Sequence, residues 1–323
     1  MDHSIAIPAL VAFFITLILG PGLISFLHKL KFGQFIREEG PESHLKKSGT
    51  PTMGGILFLV GILFLVGILV GCAFYIPDYK RIIPVLFVTL GFGLIGFLDD
   101  YIKVVMKRNL GLTPAQKMLG QIVITAVFAF YMVNHSGLGT DVILPFSGGK
   151  EWHLGILYIP VLFVVVLGTV NGANFTDGLD GLAASVTTLI AVFLTVIAVG
   201  TNAGIHPVIC AVIGALLGFL CFNTHPAKVF MGDTGSLALG GFVVSTAYML
   251  KIPLFIPIVA FIYFIEVLSV IIQVTYYKKT KKRIFKMAPI HHHFELSGWP
   301  ETKVVSIFSI VTAVLCLIGM LAY

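Results

Sequence analysis

Apolar stretches long enough to cross a bilayer, roughly 17–25 residues each, recur from one end of this chain to the other. Ten can be read, at about 4–27, 54–76, 82–98, 115–133, 155–171, 181–200, 205–222, 236–250, 253–276 and 303–322. Those near 82–98 and 236–250 are short. Composition agrees. The 323 residues are 57% hydrophobic and 11% charged, with mean hydropathy +1.00, where a soluble domain carries about a quarter charged residues. The expectation is an all-α polytopic membrane protein of about ten transmembrane helices, forming one integral domain over 1–323.

The positive balance, 21 Lys and Arg against 15 Asp and Glu, would suit nucleic acid, but its placement speaks of membrane topology. Seventeen of the 21 lie in the odd-numbered connections and their flanks, and the even-numbered ones hold only Lys80, Arg81, Lys150 and Lys251. The positive-inside rule then puts the odd connections in the cytoplasm and both termini outside. Asp2 precedes the first span and no cationic n-region marks a cleaved signal peptide, which agrees. Cys72, Cys210, Cys221 and Cys316 fall in or at the ends of spans, without disulfide or metal spacing, and read as small buried residues. The long outer connection 134–155 carries a strand-like "DVILPF" followed by Ser-Gly-Gly, which predicts a small outer hairpin between the fourth and fifth spans.

Charge counts that never used the acidic residues gather most of the notable ones on one face. Asp99 and Asp100 end the third span, at the start of a cytoplasmic connection. The pair admits two readings: a water-facing end of the span, or a site, since adjacent carboxylates repel unless a cation lies near. Lys103 is at helical spacing from both, an arrangement suited to a hydrated divalent cation and an anionic substrate. "NGANFTDGLDGLA" repeats Asn171, Asn174, Asp177 and Asp180 at every third position. Such a step drifts about 60° per repeat on an α-helix, so the expectation is an irregular segment with Asp177 near the start of the next helix. Gly172, Gly178 and Gly181 let a ligand approach the backbone there; an ordinary polar connection is the competing reading.

"FMGDTGS" sets Asp233 between glycines as a helix N-cap, a metal ligand near phosphate, or both, with Phe230 as interface filler or a stacking surface for a base. His291, His292 and His293 in "APIHHHFEL" cannot all reach one metal, but can bond phosphate or carry a proton; a headgroup-level patch is the bland alternative. "KKTKKRIFK" at 278–286 reads as an anchor on anionic lipid. Glu266, Ser269 and Gln273 share a face of the ninth span, where Glu266 is either functional or a buried interhelical partner. No Walker motif is present, and oxygen-rich, sulfur-poor ligands favour Mg2+ or Mn2+. Acids at one rim suit phosphoryl transfer between a soluble donor and a lipid acceptor. A cation-coupled transporter would place them near the midplane.

Together "SGTPTMGG" (48–55), "FLDDYIK" (97–103), "NxxNxxDGLDGLA" (171–183), "FMGDTGS" and "PIHHHFEL" (289–296) make the chain resemble the phospho-N-acetylmuramoyl-pentapeptide transferases of the polyprenyl-phosphate N-acetylhexosamine-1-phosphate transferase superfamily. The resemblance runs through essentially the whole chain, and "HHHFE" separates it from the related GlcNAc phosphotransferases, which remain the alternative. It implies a ten-span homodimer in the bacterial inner membrane with a Mg2+-dependent site on the cytoplasmic face. The implied reaction joins UDP-MurNAc-pentapeptide to undecaprenyl phosphate, giving lipid I and UMP, with no nucleic acid involved. By motif correspondence Asp233 would ligate the Mg2+, and Asp99 would be base or nucleophile with Asp100 supporting it. Asn174, Asp177, Gly178, Leu179, Asp180, Asn223 and Phe230 would line the nucleoside end. Lys47, Lys103 and Lys117 would bind phosphates or support the acids, His291, His292 and His293 would lie beside the sugar or phosphates, and Gln273 joins the substrate-binding set.

Overall fold

The computed structural model describes residues 3–29, 49–62, 81–106 and 111–323. Its long helices are α1 (His3–Lys29), α2 (Ile82–Val104), α3 (Pro114–Asn134), α4 (Tyr158–Thr176), α5 (Leu182–Gly200), α6 (His206–Asn223) and α7 (Gly232–Met249). A four-residue α8 (Ile256–Val259) leads into α9 (Phe261–Thr280), and a short α10 (Ile290–Glu295) precedes α11 (Glu301–Ala322). Two three-residue strands, β1 (Asp141–Ile143) and β2 (Glu151–His153), pair antiparallel between α3 and α4, with Val142 opposite Trp152.

The chain is a helical polytopic membrane protein. Eight helices among the described residues are long and apolar enough to span a bilayer, where the sequence suggested ten. Two of the expected spans are missing from this count. The stretch 54–76 is described only to residue 62. α7 has the length, but its Gly, Ser and Thr residues make it too polar for a span by composition. The stretch 253–276 keeps its span but with a later start, since the helix is broken at Ala260 and runs continuously only from Phe261.

α7 is the hub. It packs along α2 and α4, which also meets α9; α1 packs on α6, and α5 lies between α6 and α11. Every residue of α7 from Thr234 to Met249 is buried. Small residues permit this closeness: a Cβ on Gly240 would meet Val170 Cα at 2.5 Å, and one on Gly241 would meet Phe92 at 2.8 Å. Cys210 and Cys316 are buried as expected, whereas Cys221 is exposed at the last turn of α6; Cys72 lies outside the described residues.

Candidate active site

The two aspartates at the end of the apolar run do not open a loop. α2 continues through them to Val104, and Asp99 and Asp100 are 2% and 3% exposed. They are covered because the start of α7 lies against α2 at Gly96, where a Cβ would fall 2.0 Å from the Asp233 carbonyl oxygen. This approach gives the neighbours separate tasks. Asp100 Oδ2 accepts the Thr234 backbone N–H at 2.9 Å and the Thr234 hydroxyl at 2.7 Å, and Oδ1 accepts the Asp233 N–H at 3.2 Å. Asp100, from another helix, therefore does the N-capping that the sequence suggested for Asp233. Asp233 sits one residue inside α7, its carboxylate free to face outward from the helix end.

That carboxylate is held from three directions. Asn174 of α4 donates to Asp233 Oδ1 at 2.7 Å, and Lys103 and Lys117 both reach Oδ2, at 2.8 and 2.9 Å. Lys103 also pairs with Asp99 one turn earlier, but not with Asp100, whose oxygens are taken by α7. Lys117 is placed by a local device: Thr113 and Gln116 form a reciprocal capping box with Pro114 at the first position, starting α3 one turn before the lysine. The other Asp99 oxygen accepts Leu112 N–H at 2.8 Å, beside Gly111, whose φ of +57° a side chain would strain.

Asp177 completes the cluster. The sequence suggested an irregular segment over Asn171–Asp177, but α4 runs unbroken to Thr176 and Asp177 is its C-cap. The helix persists because its amides find partners despite the drift: Asn171 bonds Gln121 of α3 and the Leu167 carbonyl, and Asn174 bonds Asp233 and Ser236. Withdrawal from water, then the Asp233 and Asp100 charges, raise the Asp177 carboxyl well above the usual carboxylate range. Asp99 and Asp233 are paired with Lys103 and Lys117, and Asp100 and Asp177 both lie within reach of the Asp233 charge. Asp99, Asp100 and Asp233 each bring an oxygen within 4.8 Å of the others. Hard oxygen donors gathered this closely fit a divalent cation.

Past Asp177 the chain turns through Gly178, Leu179 and Asp180 to Gly181, which starts α5 at φ +79°. Leu179 is buried, and Asp180 Oδ2 accepts from the Ala227 N–H at 3.0 Å and lies 3.1 Å from His225 Nδ1. The Asp180 N–H donates to Glu301 Oε1 at 2.6 Å. His225 and Glu301 were not singled out in the sequence. Glu301 carried the same signal as the others, an acid at the end of a span, and His225 lies two residues past α6. Asn223 accepts Gly181 N–H and donates to the Val229 carbonyl, tying this turn to the 224–231 loop. Phe230 is half-buried in that loop, its backbone bonded to Pro51 and Gly54.

The histidines diverge. His291 Nδ1 lies 3.0 Å from Glu266 Oε1 inside the bundle, His292 Nδ1 lies 2.8 Å from Glu295 Oε2, and His293 Nδ1 accepts the Lys286 N–H. Gln273 uses its amide on the backbone of Ile284 and Phe285. Lys47 lies outside the described residues.

Residues 82–251, which hold the acid cluster, match Glycosyl transferase family 4, and residues 47–59 match phospho-N-acetylmuramoyl-pentapeptide-transferase signature 1. The chain is similar over nearly its whole length to proteins named phospho-N-acetylmuramoyl-pentapeptide-transferase. That of Clostridium kluyveri is 50% identical over 321 residues, covering 99% of each chain. That of Clostridium novyi is 51% identical over 97% of this chain and 95% of its own. The relative from Acetivibrio thermocellus is 51% identical over 97% and 93%. With its aspartate motifs meeting Lys103 and Lys117 at the junction of α2, α4 and α7, and with relatives alike over nearly the whole length, the chain belongs to the phospho-N-acetylmuramoyl-pentapeptide-transferases of glycosyl transferase family 4.

Proposed function

We infer that this single-domain membrane protein transfers phospho-N-acetylmuramoyl-pentapeptide from its UDP donor to undecaprenyl phosphate, forming lipid I and releasing UMP. The observation that carries the reading is the meeting of Asp99, Asp100 and Asp233 with Lys103 and Lys117, in a chain alike to its relatives from end to end.

The chemistry follows from charge. The acceptor phosphate is already an oxyanion, with a second pKa of about 6, so its nucleophilicity needs little help. The larger obstacle is repulsion between it and the donor diphosphate. Lys103 and Lys117 oppose that repulsion and favour the departing UMP. An acceptor oxygen bonds the phosphorus attached to the sugar as the bond to the UMP phosphate oxygen breaks. In this reading Asp99 orients or deprotonates the acceptor; its bond to Lys103 supports the orienting part. Asp233, with Asp99 beside it, would hold Mg2+, which would neutralise the diphosphate when bound. Asn174, Asp177, Gly178, Leu179, Asp180, Asn223 and Phe230 would receive the nucleoside end. His292 and His293 would lie beside sugar and phosphates, with Gln273 near the donor. The bias of basic residues supports a cytoplasmic site in the bacterial inner membrane, and a homodimer is what the motif resemblance implies.

The test is UMP release by purified protein in detergent with a polyprenyl phosphate and either UDP-MurNAc-pentapeptide or UDP-GlcNAc. Release from the muramoyl donor alone, lost with EDTA and with Asp233→Ala, is expected. Release from UDP-GlcNAc alone would overturn the substrate, and none from either would overturn the activity.

A further inference from the structure

α9 carries a buried carboxylate that none of these steps uses. Glu266 is 0% exposed, and so is His291, its one partner among the described residues, with Nδ1 3.0 Å from Glu266 Oε1. The other two polar atoms of the pair, Glu266 Oε2 and His291 Nε2, are buried with no hydrogen-bond partner. Stability alone does not call for such a pair, since apolar residues of equal volume generally serve a core as well or better.

The surroundings point to a positioning role. The polar face of α9 grips the 284–291 segment twice: Gln273 accepts from the Ile284 and Phe285 N–H groups, and two turns earlier Glu266 holds His291. On its far side the ring presses on the turn after α4, where a Cβ on Gly178 would fall 2.2 Å from His291 Nε2. Only glycine leaves room for the ring there. The residue before it is Asp177, whose carboxyl feels Asp233 and Asp100. A carboxylate accepting from Nδ1–H also settles which nitrogen carries the proton, so Nε2 is the atom left at the turn.

We propose that Glu266 is a positioning residue for the donor substrate: through His291 it fixes the Asp177–Gly178 turn, against which the uridine diphosphate seats. This rests on the transferase reading. Glu266 itself touches no substrate.

The test compares Glu266→Ala, Glu266→Gln, His291→Ala and the double variant Glu266→Ala/His291→Ala, measuring UMP release while donor and acceptor are varied separately. Glu266→Ala is expected to raise the donor KM about tenfold with the acceptor KM unchanged, because a buried bond is lost and its donor orphaned. Glu266→Gln, whose amide oxygen still accepts from Nδ1–H, is expected to stay within about threefold. The double variant is expected to be no worse than His291→Ala, since Glu266 acts only through the ring. An unchanged donor KM in Glu266→Ala, equal loss in Glu266→Gln, or additive loss in the double variant would each overturn the proposal. If Glu266→Ala does not fold, Gly178→Ala decides: its donor KM should rise and partly recover when His291→Ala is added, and wild-type behaviour would refute the coupling. Absence of UMP release by wild-type protein refutes the transferase reading instead. Calorimetric binding of UMP to the same variants, expected to weaken about tenfold in Glu266→Ala, still decides the role of Glu266, and unchanged binding would reject it.

Discussion

Asp99 and Asp100 are chemically identical neighbours, and the structure predicts that removing them has different consequences. Asp100→Ala strips the start of α7 of its acceptor, leaving the Asp233 and Thr234 N–H groups unmatched at a helix end with almost no solvent, while the Thr234 hydroxyl, which also gives up its bond to Asp100, can rotate to another acceptor. Two charge-assisted bonds at about 1.5–2 kcal/mol each give a loss of about 3–4 kcal/mol. Removing one like charge beside Asp99 and Asp233 returns about 1 kcal/mol. The net cost of about 2–3 kcal/mol corresponds to a fall in melting temperature of roughly 5 °C. Asp99→Ala loses one such bond, from the Leu112 N–H, worth about 1.5–2 kcal/mol, while Lys103 keeps its bond to Asp233, and relief of repulsion offsets more than half of the loss. Its melting temperature should stay near that of the wild type while UMP release disappears. The assay is thermal unfolding in detergent with EDTA, followed by UMP release with Mg2+ on the folded fractions. Asp100→Asn, which retains acceptors for Thr234, should fall between the two. Wild-type melting of Asp100→Ala, or an equal fall in Asp99→Ala, would refute the division of labour.

Gly96→Ala should lower expression and thermal stability by about 2 kcal/mol or more, since its Cβ would lie 2.0 Å from the Asp233 carbonyl oxygen; unchanged melting would show that α2 and α7 can separate freely. Lys103→Met and Lys117→Met should each weaken UMP release, and the double variant should lose more than either alone, because both lysines serve Asp233 Oδ2; an inactive single variant paired with a fully active one would reject shared neutralisation. Asp177→Asn should abolish or sharply reduce UMP release yet raise the melting temperature at neutral and alkaline pH in EDTA. The folded Asp177 carboxyl is raised by burial and by Asp233 and Asp100, so its stabilising contribution is present below the unfolded value of about 3.9 and is lost as pH rises through the folded value. The gap between variant and wild type should therefore close towards pH 4, and a gap that widens on acidification would reverse the sign.

How far the sequence reached depended on whether a property was local. Apolar length marked most helices. Asp99, Asp177 and Asp233 stood out because carboxylates at the ends of greasy segments need a reason to be there. What Asp100 does was not legible, because its partners lie more than 130 positions later and appear only when α7 lands on α2. The same distance hid the persistence of α4 through Asn171 and Asn174. Their three-residue step argues against one narrow face, but their partners lie in different helices, α3 for one and α7 for the other. Glu266 was visible as an anomaly, and its partner His291 as a motif, yet nothing in the linear text joins them across 25 residues.

The burial of α7 on all sides also bears on how the protein reaches its membrane. Insertion machinery sorts segments by how well each one dissolves in lipid by itself, and α7, rich in glycine and hydroxyl side chains, falls short of that standard. It has no lipid face to recommend it. By that standard its entry is expected to follow α2, which precedes it in synthesis and offers both close approach at Gly93 and Gly96 and the Asp100 acceptor for its leading end. Biogenesis and function thus share one event: the docking that admits this reluctant helix to the bilayer also delivers Asp233 to its partners.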